Sequence, residues 1–319
     1  RISETEGNVI AGTLAWTGNF HIEFINNMIA KEPVMIHAGI NPTAADYTLD
    51  GKKSLMTPEM IFTYSSKGKG QATRNLHYWA RNHHILDGKE QRHILLNSWE
   101  GVRMNVTQTG MNSMMDDFAA LGGEMFVMDD GWFGEKYPRL TDNCALGDWK
   151  VDRNKLPNGI GWLVERADAH GISFGIWIEP EMTNSVSELY DKHPDWVIKA
   201  PERDVVTGRG GTQLVLDLSN PEVQDYIFKI VDDLMTENPR IDYIKWDANM
   251  SIVNHGSQYL PKDKQSHLYI EYHRGFAAVC DRIRAKYPDL TIQACASGGG
   301  RANWGVLPWF DEFWVSDNT

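Results

Sequence analysis

Cysteine is scarce in this chain of 319 residues: there are three, Cys144, Cys280 and Cys295. Thiols so few and so scattered make neither a disulfide framework nor a Cys-type zinc site. Long apolar runs are missing too. None approaches the roughly 20 residues a membrane-spanning helix needs, so no such helix is expected. Basic residues are outnumbered, 31 Lys and Arg against 43 Asp and Glu, which leaves a formal charge of −12. Nucleic-acid binders usually present a basic face, and this balance argues against such a partner. The 11 His contain no His-x-x-x-His or His-Glu-x-x-His pattern, and the adjacent His83 and His84 point differently, so no metal is expected. The chain opens at Arg1 with no initiator Met and no basic-then-apolar leader, and closes at Ser316-Asp317-Asn318-Thr319 without a trailing helix. It reads as a segment of a longer polypeptide.

What is present is an ordinary globular composition, 42% hydrophobic and 23% charged, with an unusual share of indole: 12 Trp beside 11 Tyr. Flat aromatic faces suit ligands with apolar faces and polar rims, such as sugars, although composition alone fits a Trp-rich core equally well.

Two regions differ in texture. Up to about residue 66, short strand-like runs (Leu14–Phe24, Val34–Ile40, Ile61–Tyr64) are separated by turn formers at Asn26-Asn27, Asn41-Pro42, Asp50-Gly51 and Lys67-Gly68-Lys69-Gly70. The last of these lacks P-loop spacing and is expected to be a turn. Residues 1–70 thus read as the end of an antiparallel β-sandwich domain and 71–91 as a helical linker. From residue 92 to 319, short apolar runs alternate with amphipathic helical segments. The strand candidates are Ile94–Ser98, Met125–Met128, Ser173–Ile178, Gln213–Leu216, Tyr243–Trp246, Thr291–Ala294 and Glu312–Val315. Strand–helix alternation with doubly buried runs implies a parallel sheet, and seven such units fit a (β/α)8 TIM barrel whose eighth strand would lie beyond Thr319. A barrel short of one strand keeps two edges unpaired, so the segment made alone is expected to be unstable or inactive.

In such a barrel the site forms at the C-terminal ends of the strands. Those ends carry Trp99-Glu100, Asp129-Asp130, Trp177 and Glu179-Pro180-Glu181, Asp217, Lys245-Trp246-Asp247-Ala248-Asn249, Cys295 through Arg301, and Ser316-Asp317. One strand-end Asp is as often a helix cap as anything else, but charges are seldom buried unpaired, and chance is a poor account of all seven. The set contains what glycoside cleavage needs: an ionised carboxylate, a second carboxyl to pass a proton, further groups for sugar hydroxyls and an aromatic wall. Lys245 lies two residues before Asp247, on the same face of a strand, where its charge would help keep Asp247 ionised. Asp129 and Asp130 can accept several charge-assisted hydrogen bonds. The Gly298–Gly300 loop follows a strand but lacks dinucleotide-loop spacing.

At these motifs the sequence resembles the bacterial α-galactosidases of glycoside hydrolase family 36. The matching text is Asp129-Asp130-Gly131-Trp132-Phe133-Gly134, Leu146-Gly147-Asp148-Trp149, Leu156-Pro157-Asn158-Gly159, Trp177 through Met182, and His193-Pro194-Asp195-Trp196. It continues through Leu214–Leu218, Ile244-Lys245-Trp246-Asp247, Cys295–Arg301 and Ser316–Thr319, while Trp16–Phe20 and Ala38–Pro42 resemble the end of that family's β-sandwich. The resemblance implies a retaining double displacement on terminal α-galactose, with Asp247 as nucleophile and Asp317 as acid/base. Asp129, Asp130 and Lys245 would hold the galactose hydroxyls, with Cys295 and Gly298 near the 2-hydroxyl. Trp99 and Trp177 would line the pocket, Asn249 would join it, and Arg209 would reach the nucleophile side. It implies no cofactor and no metal, α-galactoside oligosaccharides as partners, and a homo-oligomer, a tetramer, whose neighbours contribute to the pocket. The compartment stays open, with the cytoplasm of a bacterium favoured.

Three features depart from the family pattern: a longer Gly208–Gln213 segment, Ala248 where a larger residue is common, and Arg301-Ala302-Asn303. The neighbouring readings are an α-N-acetylgalactosaminidase, which needs room at the 2-position, a galactosyl-transferring relative, and a sugar-binding protein with a decayed site. The sequons at Asn105 and Asn249 are expected to stay unmodified, the second because it abuts Asp247.

Overall fold

The structure, a computed structural model, describes residues 2–26, 29 and 33–318. In the first part of the chain, β1 (Val9–Ala15) and β2 (Phe20–Ile25) are separate strands. A break at residues 16–19 divides the single run that alternation suggests for Leu14–Phe24. β2 pairs antiparallel with β3 (Met35–Ile40), and β1 with β4 (Glu59–Ser65). The expected turn at Asn26-Asn27 falls partly outside the described residues, as does Thr319. The expected turn at Lys67–Gly70 is instead the start of α1 (Gly68–His83). Its first amides are taken by main chain, Gly68 N–H donating to the Gly7 carbonyl (3.0 Å) and Lys69 N–H to that of Ser3 (2.9 Å), so no phosphate cradle is left open.

The second part follows as β5 (Leu95–Asn97), α2 (Trp99–Val102), α3 (Gln108–Ala120), β6 (Met125–Met128), α4 (Gly159–Ala169), β7 (Ser173–Ile178), β8 (Met182–Asn184), α5 (Glu188–Lys192) and β9 (Gln213–Val215). It continues with α6 (Pro221–Glu237), β10 (Ile241–Trp246), α7 (Leu268–Lys286), β11 (Thr291–Ala294) and β12 (Glu312–Phe313). Six strands form one parallel sheet in the order β5-β6-β7-β10-β11-β12, part of a (β/α)8 barrel. Here the sequence reading needs correction. The run at Gln213 is a strand, but it pairs antiparallel with β8 in a two-stranded hairpin, and β10 pairs directly with β7. The parallel sheet therefore holds six of the seven expected strands. A short buried apolar run looks the same in a hairpin as in a barrel stave, and only its partner tells them apart.

The helices form where local chemistry favours them. α6 opens with the Asn220 side chain accepting from Glu222 N–H (3.0 Å) and Pro221 in its first turn. Its Val223, Ile227, Ile230, Val231 and Leu234 recur at helical spacing and are buried. Alternation along the strands then splits the sheet. Phe126, Met128, Phe174, Ile176, Ile244 and Trp246 pack in the large core with the helices, while Met125, Val127 and Tyr243 form a small cluster of their own, with Leu95 against it. Continuing that second set in steps of two residues reaches Asp129 after Val127, and Lys245 and then Asp247 after Tyr243. Because the strands are parallel and in register, with Trp246 opposite both Ile178 and Ala294, these residues emerge at one edge.

The N-terminal part docks on the start of α7. Tyr47 stacks on His267 (4.1 Å between centroids) and donates to Glu271 (2.6 Å), and Thr48 N–H donates to His267 Nε2 (2.9 Å). Trp16 meets His273 edge-on.

Candidate active site

The C-terminal edge of the sheet opens into a cleft of about 430 Å³, lined by Trp99, Glu100, Arg103, Asp129, Asp130, Trp177, Arg209, Lys245, Asp247, Asn249, Trp314, Asp317 and Asn318. At its floor, Asp129 Oδ2 accepts from Lys245 Nζ (2.8 Å) and Asn97 Nδ2 (2.6 Å), and its Oδ1 accepts from Asp130 N–H (2.9 Å). Both charges are almost fully buried, where a pair must have its remaining groups satisfied to be tolerated. Burial works against the charge on Lys245, yet Asp129 beside it more than offsets this and holds its pKa above the ordinary lysine value. Lys245 also lies over the Trp314 ring, 4.5 Å from its centroid. The hydrogen bond of Lys245 goes to Asp129, while its charge also faces Asp247, on the side the strand spacing suggests.

Asp247 follows β10. Its Oδ2 accepts from Asn249 Nδ2 (2.8 Å) and Trp177 Nε1 (3.2 Å), and its Oδ1 from Ala248 N–H (2.8 Å). Three donors fix the position of this carboxylate. Asn249 is held from the other side, where its Oδ1 accepts from Ser297 Oγ (2.8 Å) and N–H (3.1 Å). Asp130 is gripped by Arg139, with Nη2 to Oδ2 at 2.8 Å and Nε to Oδ1 at 3.0 Å. Burial pushes Asp130 upward while the guanidinium pulls against it.

Nine of the expected site residues therefore share one cleft: Trp99, Asp129, Asp130, Trp177, Arg209, Lys245, Asp247, Asn249 and Asp317. Arg209 reaches it from an exposed turn, with Nε 3.2 Å from Asp142 Oδ2. Cys295 and Gly298 do not line it. Cys295 is buried, and burial followed by the Asp247 charge pushes its thiol well above the ordinary value, which argues against a nucleophile. Gly298 has φ +83°, and a Cβ there would come within 3.0 Å of Asp317 N. Its place is behind the backbone that carries Asp317. Asp217 is also outside, spending its carboxylate on Ser219 N–H (3.0 Å), Ser219 Oγ (2.6 Å) and Ser257 Oγ.

Sequence reasoning named Glu179 among the strand-end acids but gave it no role, and gave none to Arg139 or Trp314. Glu179, two residues beyond Trp177, is buried, and its Oε1 accepts from Gln213 Nε2 (2.8 Å) and Asn249 N–H. Burial, and then the charge of Asp247, push its carboxyl up to about 8. The period of two from Trp177 was a usable signal for it. Arg139, nine residues beyond Asp130 in a loop, and Trp314 had none.

A larger cleft, about 680 Å³, lies among α4, α5 and α6. Its buried acid, Asp148, is consumed by the amides of Glu188 (2.8 Å) and Leu189 (2.9 Å), and its Lys229–Asp233 pair is exposed. Among the described residues, no group of three or more His, Cys, Asp or Glu is arranged to hold a metal ion, and no helix is long and apolar enough to cross a membrane.

The parallel β/α sheet with its carboxylate-rich edge places the chain among the (β/α)8-barrel proteins. It belongs to the melibiase family, whose model matches residues 54–319. It is 39% identical over 327 residues to alpha-galactosidase C of Emericella nidulans, covering 99% of this chain and 42% of that protein. It is 36% identical to alpha-galactosidase AgaA of Geobacillus stearothermophilus, again covering 99% of this chain and 42% of that one. Among solved structures it matches the alpha-galactosidase of Lactobacillus brevis with a TM-score of 0.95 at 34% identity, covering 100% of this chain and 42% of that one. The AgaA crystal structure, from glycoside hydrolase family 36, matches at 0.94 with 34% identity, covering 100% and 44%. Substituted AgaA forms have been solved with 1-deoxygalactonojirimycin, stachyose and raffinose. The chain spans about two fifths of the length of these relatives.

Proposed function

We propose that this chain carries the catalytic centre of a retaining α-galactosidase that removes terminal α-linked galactose from oligosaccharides. The observation that carries this reading is the convergence of Asp247 and Asp317 on one cleft whose other walls are Asp129, Asp130, Lys245 and the indoles Trp99 and Trp177. A cleft of about 430 Å³ is within the range of small-ligand sites. The AgaA structures with stachyose and raffinose support the substrate class, since both carried aspartate substitutions. Those two aspartates are spaced along their chain as Asp247 and Asp317 are along this one.

In this reading Asp247 attacks the anomeric carbon. The C1–O bond breaks, the departing oxygen takes a proton from Asp317, and a β-linked galactosyl-enzyme forms. Water, deprotonated by Asp317, then displaces Asp247 and restores the α configuration. The donors from Trp177, Asn249 and Ala248 hold the attacking carboxylate aimed. Asp129 and Asp130, already polarised by Lys245 and Arg139, present acceptor oxygens to sugar hydroxyls. Trp99 and Trp177 offer apolar faces to the ring.

In the full polypeptide, Asp247→Ala and Asp317→Ala should each reduce turnover of an α-galactoside by several orders of magnitude. Added azide should rescue both with opposite stereochemistry. The Asp247 variant should yield the β-galactosyl azide directly, and the Asp317 variant the α-azide through the covalent intermediate. Full activity in either variant, or the same azide anomer from both, would remove the assignment. A ligand-bound structure should hold the two carboxyls about 5–5.5 Å apart; a separation of about 6.5 Å or more would indicate inversion instead.

A further inference from the structure

Glu179 is a buried carboxyl that the mechanism above does not use. It follows β7 directly, on the strand face of Trp177, and one oxygen of its carboxyl takes two hydrogen bonds from protein. Oε1 accepts from the Asn249 backbone N–H and from Gln213 Nε2 (2.8 Å). Gln213 is the first residue of β9, in the hairpin that stands outside the parallel sheet. Asn249 in turn donates to Asp247 Oδ2 (2.8 Å) and accepts from Ser297. A continuous set of contacts therefore runs from the hairpin, through Glu179, to the turn that carries the proposed nucleophile.

We propose that Glu179 is a positioning residue for Asp247. It clamps the 247–249 turn through the Asn249 amide and is itself anchored by Gln213. The inference rests on the reading of Asp247 as nucleophile. Without Glu179, the Asn249 N–H would be a buried donor with no partner, and the turn would shift to find one. Such a shift moves the side-chain amide that orients Asp247. Misplacing a reacting group by about 1 Å costs on the order of 100-fold in rate. Two charged groups face Glu179 from neighbouring elements: Asp247 at the end of β10, and Arg139, itself engaged by Asp130. With its carboxyl raised to about 8, Glu179 carries its proton at neutral pH and sets no second negative charge beside Asp247. An amide has the same shape and acceptor oxygen, so glutamine can stand in for this neutral acid.

The test compares Glu179→Ala, Glu179→Gln, Gln213→Met and Asp247→Ala in the full polypeptide, on a nitrophenyl α-galactoside. For the variants that keep Asp247, turnover is normalised to sites titrated by a covalent galactosyl trap, so that misfolded molecules do not count; Asp247→Ala is normalised to folded protein measured by circular dichroism. Glu179→Ala should lower kcat by about 10–100-fold and leave KM within about threefold. Glu179→Gln should restore kcat to within about fivefold of the parent. Gln213→Met should fall between them. If the alanine variant does not fold, Gln213→Met carries the same expectation of lower kcat at unchanged KM. Wild-type kcat per titrated site in the alanine variant, or in Gln213→Met if alanine does not fold, would overturn the positioning role. So would a glutamine variant as impaired as the alanine one. Asp247→Ala separates the two claims: if it is dead while Glu179→Ala turns over normally, only the positioning role fails, and if it is active, the proposed function itself fails.

Discussion

Glu181 and Arg301 show how much of this molecule rests on single side chains. Glu181 Oε1 accepts from Arg301 Nη1 (2.6 Å) and Trp246 Nε1 (2.8 Å), and Oε2 from Arg301 Nη2 (3.0 Å) and Tyr272 OH (2.7 Å). Burial alone would raise this carboxyl, but Arg301 more than offsets it and holds it below the ordinary glutamate range. The pair ties the segment between β7 and β8, with Trp246 at the end of β10 attached, to the loop that carries Gly298. Arg301→Met would strand a buried carboxylate, and a destabilisation of about 3–5 kcal/mol is expected from denaturant unfolding. Glu181→Gln should cost less, and the double variant less than the sum of the singles, because both singles break the same contacts. Strict additivity would mean that the fork carries no coupling. At this scale the text was legible wherever chemistry repeats every second residue along a strand, as with Lys245 and Asp247. It was silent on Arg139 and Trp314, which arrive from loops whose course no local rule dictates.

Elements meet the site through register. The sequence marks Met125–Met128, Ser173–Ile178 and Thr291–Ala294 to the residue, because doubly buried parallel strands read as short, mainly apolar runs. β9 shows where that signal misleads: its Leu214 and Val215 are as buried as any stave, yet it belongs to a hairpin. Helix packing supplies a sharper test. Gly275 lies inside α7, where glycine costs about 1 kcal/mol relative to alanine in an exposed helix. A Cβ at this position would come within 1.9 Å of the Leu218 carbonyl oxygen. Gly275→Ala should therefore lower the thermal midpoint instead of raising it, and should loosen the Gln224 hydrogen bond to that same carbonyl. A stabilised variant would show that the contact between α7 and the 218 segment gives way easily.

Across the whole molecule, two buried groups set opposite limits on the pH range of stability. Glu179 is raised from 4.5 to about 8, so the folded state binds the extra proton between those values. Its contribution is complete below pH 4.5 and is lost as pH rises through about 8. His273 is lowered from 6.5 to about 4 by burial, followed by the nearby Arg301 charge, with Glu181 opposing. Its contribution is complete above pH 6.5 and is lost as pH falls through about 4. The thermal midpoint of the full polypeptide should therefore peak between these limits. Glu179→Gln should flatten the alkaline decline and His273→Gln the acid one. Slopes unchanged in both variants would mean that neither group is held as its burial implies.

Composition, strand text and ordered motifs were enough to determine the β/α class and most of the acids facing one edge. These are local properties: an apolar run and a two-residue repeat depend on near neighbours in the chain. Only tertiary structure decided that Lys245 serves Asp129, that β9 leaves the sheet, and that Glu179 and Gln213 stand behind the proposed nucleophile. Each of those outcomes depends on which distant segments meet, and contact between residues 30 to 120 positions apart is settled by packing and charge pairing in the folded core.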